Sequence, residues 1–255
     1  MPKLATKSNQ LLQELSQLLH STRNIDQFTL KRLQKEAQSL LKSEALNAHL
    51  FLGALAGLQG ERSSVHENYK QALTLAPTNP NNAIVLNNYI TSLLDIGSFS
   101  EAVEPVIKAY DYKLPISEIV TTILAKAGLF HRAAELIRQD HLVVAADSFI
   151  FRTERFMDQH GVSDAELQKL IEIAISVLHA HQFFDFRFTK IITEFAEEED
   201  SQWFRYVIKI NGSVEDIVDM EYELACQLAE DDLSTELLLN FITAYEFAEE
   251  QYGSD

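Results

Sequence analysis

The sequence predicts a mainly α-helical chain that ends in a small acidic α+β unit of order ββαα. Over most of the 255 residues the apolar side chains recur at intervals of three and four, the helical spacing. Glycine (8) and proline (5), the residues that break helices, are scarce. After His181 the interval changes to two within a run of aromatic and β-branched residues, the spacing of strands.

Taken in order, Leu11, Leu12, Leu15, Leu18 and Leu19 form a first apolar stripe. Phe28, Leu30, Leu33, Ala37, Leu40 and Leu41 form a second, after the polar residues 21–26. So short a break joins two antiparallel helices. From residue 46 three segments then superpose on one glycine. Gly60, Gly97 and Gly128 fall in the turn and each follows an apolar helix; Val65, Ala102 and Ala133 lie five residues later, and Tyr69, Val106 and Ile137 four beyond those. Ala72 and Ala109 come next, with Asp140 in the third segment, and Pro105 lies inside a second helix where it should kink the chain.

A small residue where two helices cross, a glycine where the chain reverses and a proline at the exit make this stretch, residues 46–140, resemble the tetratricopeptide repeat. Leu52, Gly53, Gly60, Tyr69, Ala72 and Pro77 carry the likeness in the first unit, and Gly97, Phe99, Ala102, Ala109 and Pro115 in the second. Gly128, Phe130 and Ala133 carry it in the third, which departs from the pattern at Thr121 and Asp140. The resemblance implies a right-handed α-α superhelix, an α-solenoid, in which each unit leaves an apolar face for its neighbour to cover. Helix pairs over residues 11–41 and 145–180 are suited to cap such a stack. Ser163 with Glu166 opens the later helix as a capping box.

Beyond residue 181, Phe184, Phe186 and Phe188 alternate with polar residues, and so do Phe204, Tyr206, Ile208 and Ile210, which predicts two strands joined by the loop AEEEDS. Ser213 with Asp216 opens a helix bearing Ile217, Met220, Leu224 and Leu228, and a second helix runs from Ser234 with Leu237, Leu238, Phe241, Ile242 and Tyr245 on one face. The expected domains are residues 1–181, helical repeats with capping helices, and residues 182–255, the acidic ββαα appendage. A lone hairpin is marginal in water, so it must pack on these helices or pair its edge with another copy or partner.

Net charge is −17 and is unevenly placed: residues 194–255 hold 18 acidic residues against Arg205 and Lys209, a net −16. Residues 1–42 run the other way, with seven basic residues against three acidic. An acidic surface repels nucleic-acid phosphates and anionic lipid, so direct nucleic-acid and membrane binding are not expected, and a basic protein surface is the natural complement. No stretch approaches the roughly 18 apolar residues of a membrane span. The single cysteine, Cys226, lies in an apolar helical pattern and reads as a core residue of a reducing compartment. The expectation is a cytoplasmic protein.

Chemistry-bearing constellations are few. His179, His181 and Asp185 offer zinc-type donors, but histidines two apart diverge on a helix, and their place at a helix end favours a role on the last carbonyls. There is no Gly-rich phosphate loop, His-Glu-x-x-His, Cys-x-x-Cys or Gly-x-Ser-x-Gly. No cofactor and no catalytic residue are therefore assigned, and an enzyme is not expected. The tetratricopeptide resemblance implies a peptide groove lined by the first helix of each unit: Asn47, Leu50, Ala54 and Leu58; Ile84, Asn87, Thr91 and Asp95; Glu118, Thr122 and Lys126. Of the carboxylate clamp that some members of that family use, only Asn87 and Lys126 have counterparts. The acidic run Glu197, Glu198, Glu199 and Asp200 is a second candidate contact for a basic partner. The function expected is a non-catalytic protein-interaction scaffold or adaptor. The alternatives are a regulatory, antitoxin-like inhibitor that masks a basic nucleic-acid-binding surface and, behind it, a metal-dependent enzyme.

Overall fold

The computed structural model describes residues 7–19, 26–76, 81–111, 117–139, 148–187, 189–198 and 201–248. Among them are twelve helices and three strands. The helices are α1 (Lys7–Leu19), α2 (Gln27–Leu40), α3 (Ala45–Leu58), α4 (Arg62–Leu75), α5 (Asn81–Asp95), α6 (Phe99–Asp111), α7 (Ser117–Lys126), α8 (Phe130–Gln139), α9 (Phe149–His160), α10 (Asp164–Ala180), α11 (Val214–Glu230) and α12 (Thr235–Asn240). The strands are β1 (Lys190–Glu198), β2 (Ser201–Ile210) and β3 (Phe241–Phe247). The chain is mainly helical with a small sheet near its C-terminus, and no described helix is long and apolar enough to cross a membrane. It divides into two compact units, one of Met1–Ile116 with Phe184–Phe188 and the other of Ser117–Phe183 with Thr189–Asp255. This division and the sequence boundary at 181/182 are different cuts.

In the first unit, Asp26 caps α2 by accepting a hydrogen bond from the Thr29 amide at 2.9 Å. Leu11 and Leu15 of α1, Leu30, Leu33, Ala37 and Leu40 of α2, and Ala48, Phe51 and Leu55 of α3 bury one another in a shared core. Gly53 lets α4 approach: a Cβ there would lie 2.7 Å from the Tyr69 ring. Tyr69 in turn stacks on Tyr89 at 5.1 Å, and its hydroxyl is 2.9 Å from Ser92 Oγ, which satisfies a polar atom on a fully buried side chain. Gly60 and Gly97 turn the chain at φ +71° and +72°, and Val65, Tyr69, Ala72, Ala102, Val106 and Ala109 are all buried. Pro105 lies inside α6, which runs on to Asp111.

Residues 184–187 complete this unit and correct the expected first strand. Phe184, Phe186 and the residues between them are irregular, not extended in a ladder, and Phe188 lies outside the described residues. The reason is tertiary: the Phe186 amide donates to the Asp95 carbonyl at 2.8 Å, and its ring covers Gly97 and meets Phe99 edge-on at 5.9 Å. Any side chain on Gly97 would collide with that ring, so glycine there serves both the turn and the docking. Arg187 donates to the Leu18 and Leu19 carbonyls at 3.3 and 3.4 Å, at the C-terminal end of α1.

In the second unit, Gly128 turns α7 into α8 at φ +81° and Ala133 and Ile137 are buried. Asp164, the first residue of α10, accepts from the His131 and Arg132 amides at 3.0 Å each, so it caps α8 across the fold. Ser163 and Glu166 form the expected capping box, and Ser213 and Asp216 form another at the start of α11. β1 pairs antiparallel with β2 from Lys190↔Lys209 to Glu198↔Ser201. Thus Ala196, Glu197 and Glu198, read as loop, are strand, and only residues 199–200 connect the two.

Two further expectations are corrected here. The helix predicted from Ser234 ends at Asn240, and Phe241–Phe247 forms β3, parallel to β2 in the register Phe204↔Phe241 to Ile210↔Phe247. The unit is therefore ββααβ, not ββαα. Phe241, Thr243 and Tyr245 point inward, the Tyr245 hydroxyl donates to the Ala174 carbonyl at 2.6 Å, and β3 covers one of the two hairpin edges. Cys226 is exposed, because the buried face of α11 is formed by Ile217, Met220 and Leu224 and Cys226 lies off it.

Candidate functional site

Three helices of the first unit leave a cleft of about 450 Å³ between them. Leu12, Leu15, Ser16 and Leu19 recur at three and four along α1 and form one wall. Leu46, Asn47, Leu50 and Ala54 of α3 form the floor, and Asn81, Ile84 and Asn88 of α5 form the other wall. The surface is mainly apolar with three amides, Asn47 of α3 and Asn81 and Asn88 of α5, the composition of a pocket that takes apolar side chains and orients a backbone. Ile84 is 53% exposed and Leu12 41%, so these side chains stand at the mouth with their apolar surface wet. Asn47 donates to Glu44 at 3.3 Å, while Asn81 and Asn88 make no side-chain hydrogen bond among the described residues.

Of the residues expected to line a groove, Asn47, Leu50, Ala54 and Ile84 meet in this cleft. Leu58 does not; it packs on the α1–α2–α3 core. Asn87 and Thr91 are exposed on α5 outside the lining. Asp95, at the end of α5, is largely buried, which pushes its carboxyl up to about 6; the Arg187 charge opposes the rise and Asp185 adds to it. Lys126 belongs to the second unit, where its carbonyl accepts from the Tyr206 hydroxyl at 2.8 Å and burial lowers the pKa of its ammonium. Thr122 is exposed on α7, and Glu118 lies on the same helix with its side chain outside the described residues. Glu197 and Glu198 end β1 with their side chains likewise outside, and Glu199 and Asp200 are outside altogether.

The α1 wall, and Asn81 and Asn88, were not foreseen. A signal existed: the α1 stripe is five leucines wide, broader than one hairpin interface needs; Leu11 and Leu15 enter the core, Leu18 and Leu19 pack against it, and Leu12 is left exposed.

The zinc-type trio is otherwise engaged. His181 is the C-cap of α10, and its Nε2 lies 2.9 Å from Glu223. Asp185 accepts from the Arg187 guanidinium at 2.8 and 2.5 Å; burial opposes ionisation, yet these bonds hold its carboxyl below the usual range. Among the described residues no three His, Cys, Asp or Glu side chains are grouped to hold a metal.

Elsewhere, His131 is bound on both ring nitrogens, by Asp164 at 2.9 Å and Asp158 at 3.1 Å; desolvation lowers its pKa and these bonds more than restore it, for a net rise. That arrangement braces the α8 cap, since the same Asp164 carboxylate holds the His131 amide and ring.

Compared with protein-family models, curated proteins and solved structures, the chain matches none.

Proposed function

We propose that this chain is a non-catalytic protein-binding module of the tetratricopeptide kind, an adaptor whose first unit seats a segment of a partner protein in the cleft between α1, α3 and α5. The observation that carries this reading is the cleft itself: Leu12, Leu50 and Ile84 present apolar surface from three helices to one space, with Asn47, Asn81 and Asn88 beside them. An apolar floor takes two or three hydrophobic side chains, and the amides are placed for the backbone polar groups of an extended or helical guest. The hairpins α3/α4 and α5/α6, with their glycine turns and buried alanines at the crossings, supply a rigid wall on which such a surface keeps its shape.

The test is selection of displayed random peptides on the full chain, followed by affinity measurement on Leu50→Glu and Ile84→Glu variants. The reading expects an enriched motif of apolar residues whose affinity falls about tenfold or more in both variants, in proportion to lost apolar burial. Selection without a shared motif, or a motif that binds the variants equally, overturns it.

The net −16 of residues 194–255 favours a second reading, an antitoxin-like inhibitor that masks a basic nucleic-acid-binding surface. Its distinguishing property is a complex that dissociates at high salt.

A further inference from the structure

We propose that the outer face of α11 is a second docking surface, and that its occupant is a basic amphipathic helix carried by another protein. The helix has two apolar faces. Ile217, Met220 and Leu224 are buried against the fold. Val214, Val218 and Tyr222, at intervals of four, are 67%, 59% and 73% exposed, and the exposed Ala225 and Ala229 continue that stripe towards the C-terminal end. At 1.5 Å per residue the stripe runs ~22 Å, the length of four helical turns. A soluble helix has no need of a second apolar face in water, and a contiguous one of this kind marks a contact surface.

The charges beside the stripe state what covers it. Four of the five stripe residues are followed by a carboxylate, Val214 by Glu215, Val218 by Asp219, Tyr222 by Glu223 and Ala229 by Glu230, while Ala225 is followed by Cys226. Of the four acids, Glu223 is bound to His181. The acids therefore form a row parallel to the apolar one, on the adjacent side of the same helix. α11 contains no lysine or arginine. The two cations of the acidic segment are occupied on the sheet, where Arg205 binds Glu194 at 2.6 Å and Glu246 at 2.8 Å, and Lys209 lies 3.7 Å from Glu246. Glu215, Asp219 and Glu230 form no ion pair among the described residues. A guest helix with leucine-like residues on one face and lysine or arginine along its flank satisfies both rows at once. Nucleic acid and anionic lipid meet the wrong sign. A second copy of α11 would place one carboxylate row against another, because a two-fold contact pairs a surface with itself.

The surface is separate from the cleft of the first unit, and the experiment tells the two apart. The probe is a synthetic helix-forming peptide of leucine and lysine arranged to give one apolar face with a basic flank, beside a scrambled peptide of identical composition and a version with glutamate in place of lysine. Affinity for the full chain is read by anisotropy, and position by the emission of an environment-sensitive dye on Cys226, the chain's only cysteine, which is exposed on α11. The expected result is saturable binding of the ordered basic peptide, about tenfold or more tighter than the scrambled one, with a dye response and steep weakening by salt. Val218→Ser with Tyr222→Ser weakens it by a similar factor. Glu215→Lys with Asp219→Lys does so too and shifts preference to the glutamate peptide. All four positions are exposed, so the fold is retained, as circular dichroism would check. Equal binding of ordered and scrambled peptides overturns the proposal, as does undiminished affinity in the Val218/Tyr222 variant. So does loss of binding only in the Leu50→Glu or Ile84→Glu cleft variants. A dimer of the chain that these α11 substitutions dissolve overturns the choice of occupant.

Discussion

Asp95 ends α5 with its carbonyl bound to the Phe186 amide at 2.8 Å and its carboxyl largely buried, where burial raises the pKa to about 6 against the Arg187 charge. In the unfolded chain the same group titrates near 3.8. The folded form thus holds a proton across a window in which the unfolded form has released it. The stability this contributes is full below the unfolded value and is lost as pH rises through about 6. Asp95→Asn keeps the site neutral at every pH. Its melting temperature should therefore fall less than that of the wild type between about pH 5 and about pH 7, and should exceed it at the upper end. Parallel melting curves at three pH values check this, and identical pH slopes would sink it. At this scale the sequence was partly legible. Asn47, Leu50, Ala54 and Ile84, which the tetratricopeptide resemblance implies for a peptide groove, line one cleft. The same resemblance implies Asp95 as lining, but a family pattern says which residues share a helix face and not which end of that face a later segment, here Phe186, will cover.

β3 shows how one string of residues can satisfy two periods. Leu237, Leu238, Phe241, Ile242 and Tyr245 fit the helical interval, whereas Phe241, Thr243 and Tyr245 fit the strand interval, and both patterns are present at once. The structure uses the first up to Asn240 and the second after it. Local preference leans the same way, since Phe, Ile, Thr and Tyr are strand formers, but the deciding factor is the parallel pairing with β2, which no local window contains. The capping boxes at Ser163 and Ser213 were legible because their chemistry is local to four residues. The Asp164 cap of α8 was not, being 33 residues away in sequence. Phe241 is buried to 3% in an aromatic cluster with Phe156 at 5.4 Å and Phe204 at 5.4 Å. Phe241→Ala should cost about 3–5 kcal/mol in urea unfolding, as for other large core truncations. If Phe241 lay instead on the outer turn of an exposed helix, the loss would be about 0.5 kcal/mol or less, the usual range for surface positions.

Over the whole chain, charge was the feature most readily legible, because it needs no fold to be counted. With 18 acidic residues against two basic beyond residue 193, and both cations paired on the sheet, the second unit repels itself. Raising salt from about 20 mM to about 200 mM should therefore raise the melting temperature, and a flat or falling response would show that the carboxylates are already compensated. The division into units was not legible. It depends on residues 184–188, which follow α10 in sequence yet belong with α1–α6. Nothing in the alternation of Phe184, Phe186 and Phe188 tells that Phe186 will settle on Gly97. That placement has a consequence for the order of events on the ribosome. Six helices of the first unit have been synthesised once residue 111 emerges, but the cover over Gly60 and Gly97 and the guanidinium at the end of α1 arrive some seventy residues later, after α7 to α10. At roughly 5–20 residues per second the nascent unit waits several seconds with those turns bare. In that interval the two turns lack the aromatic cover that the finished molecule gives them.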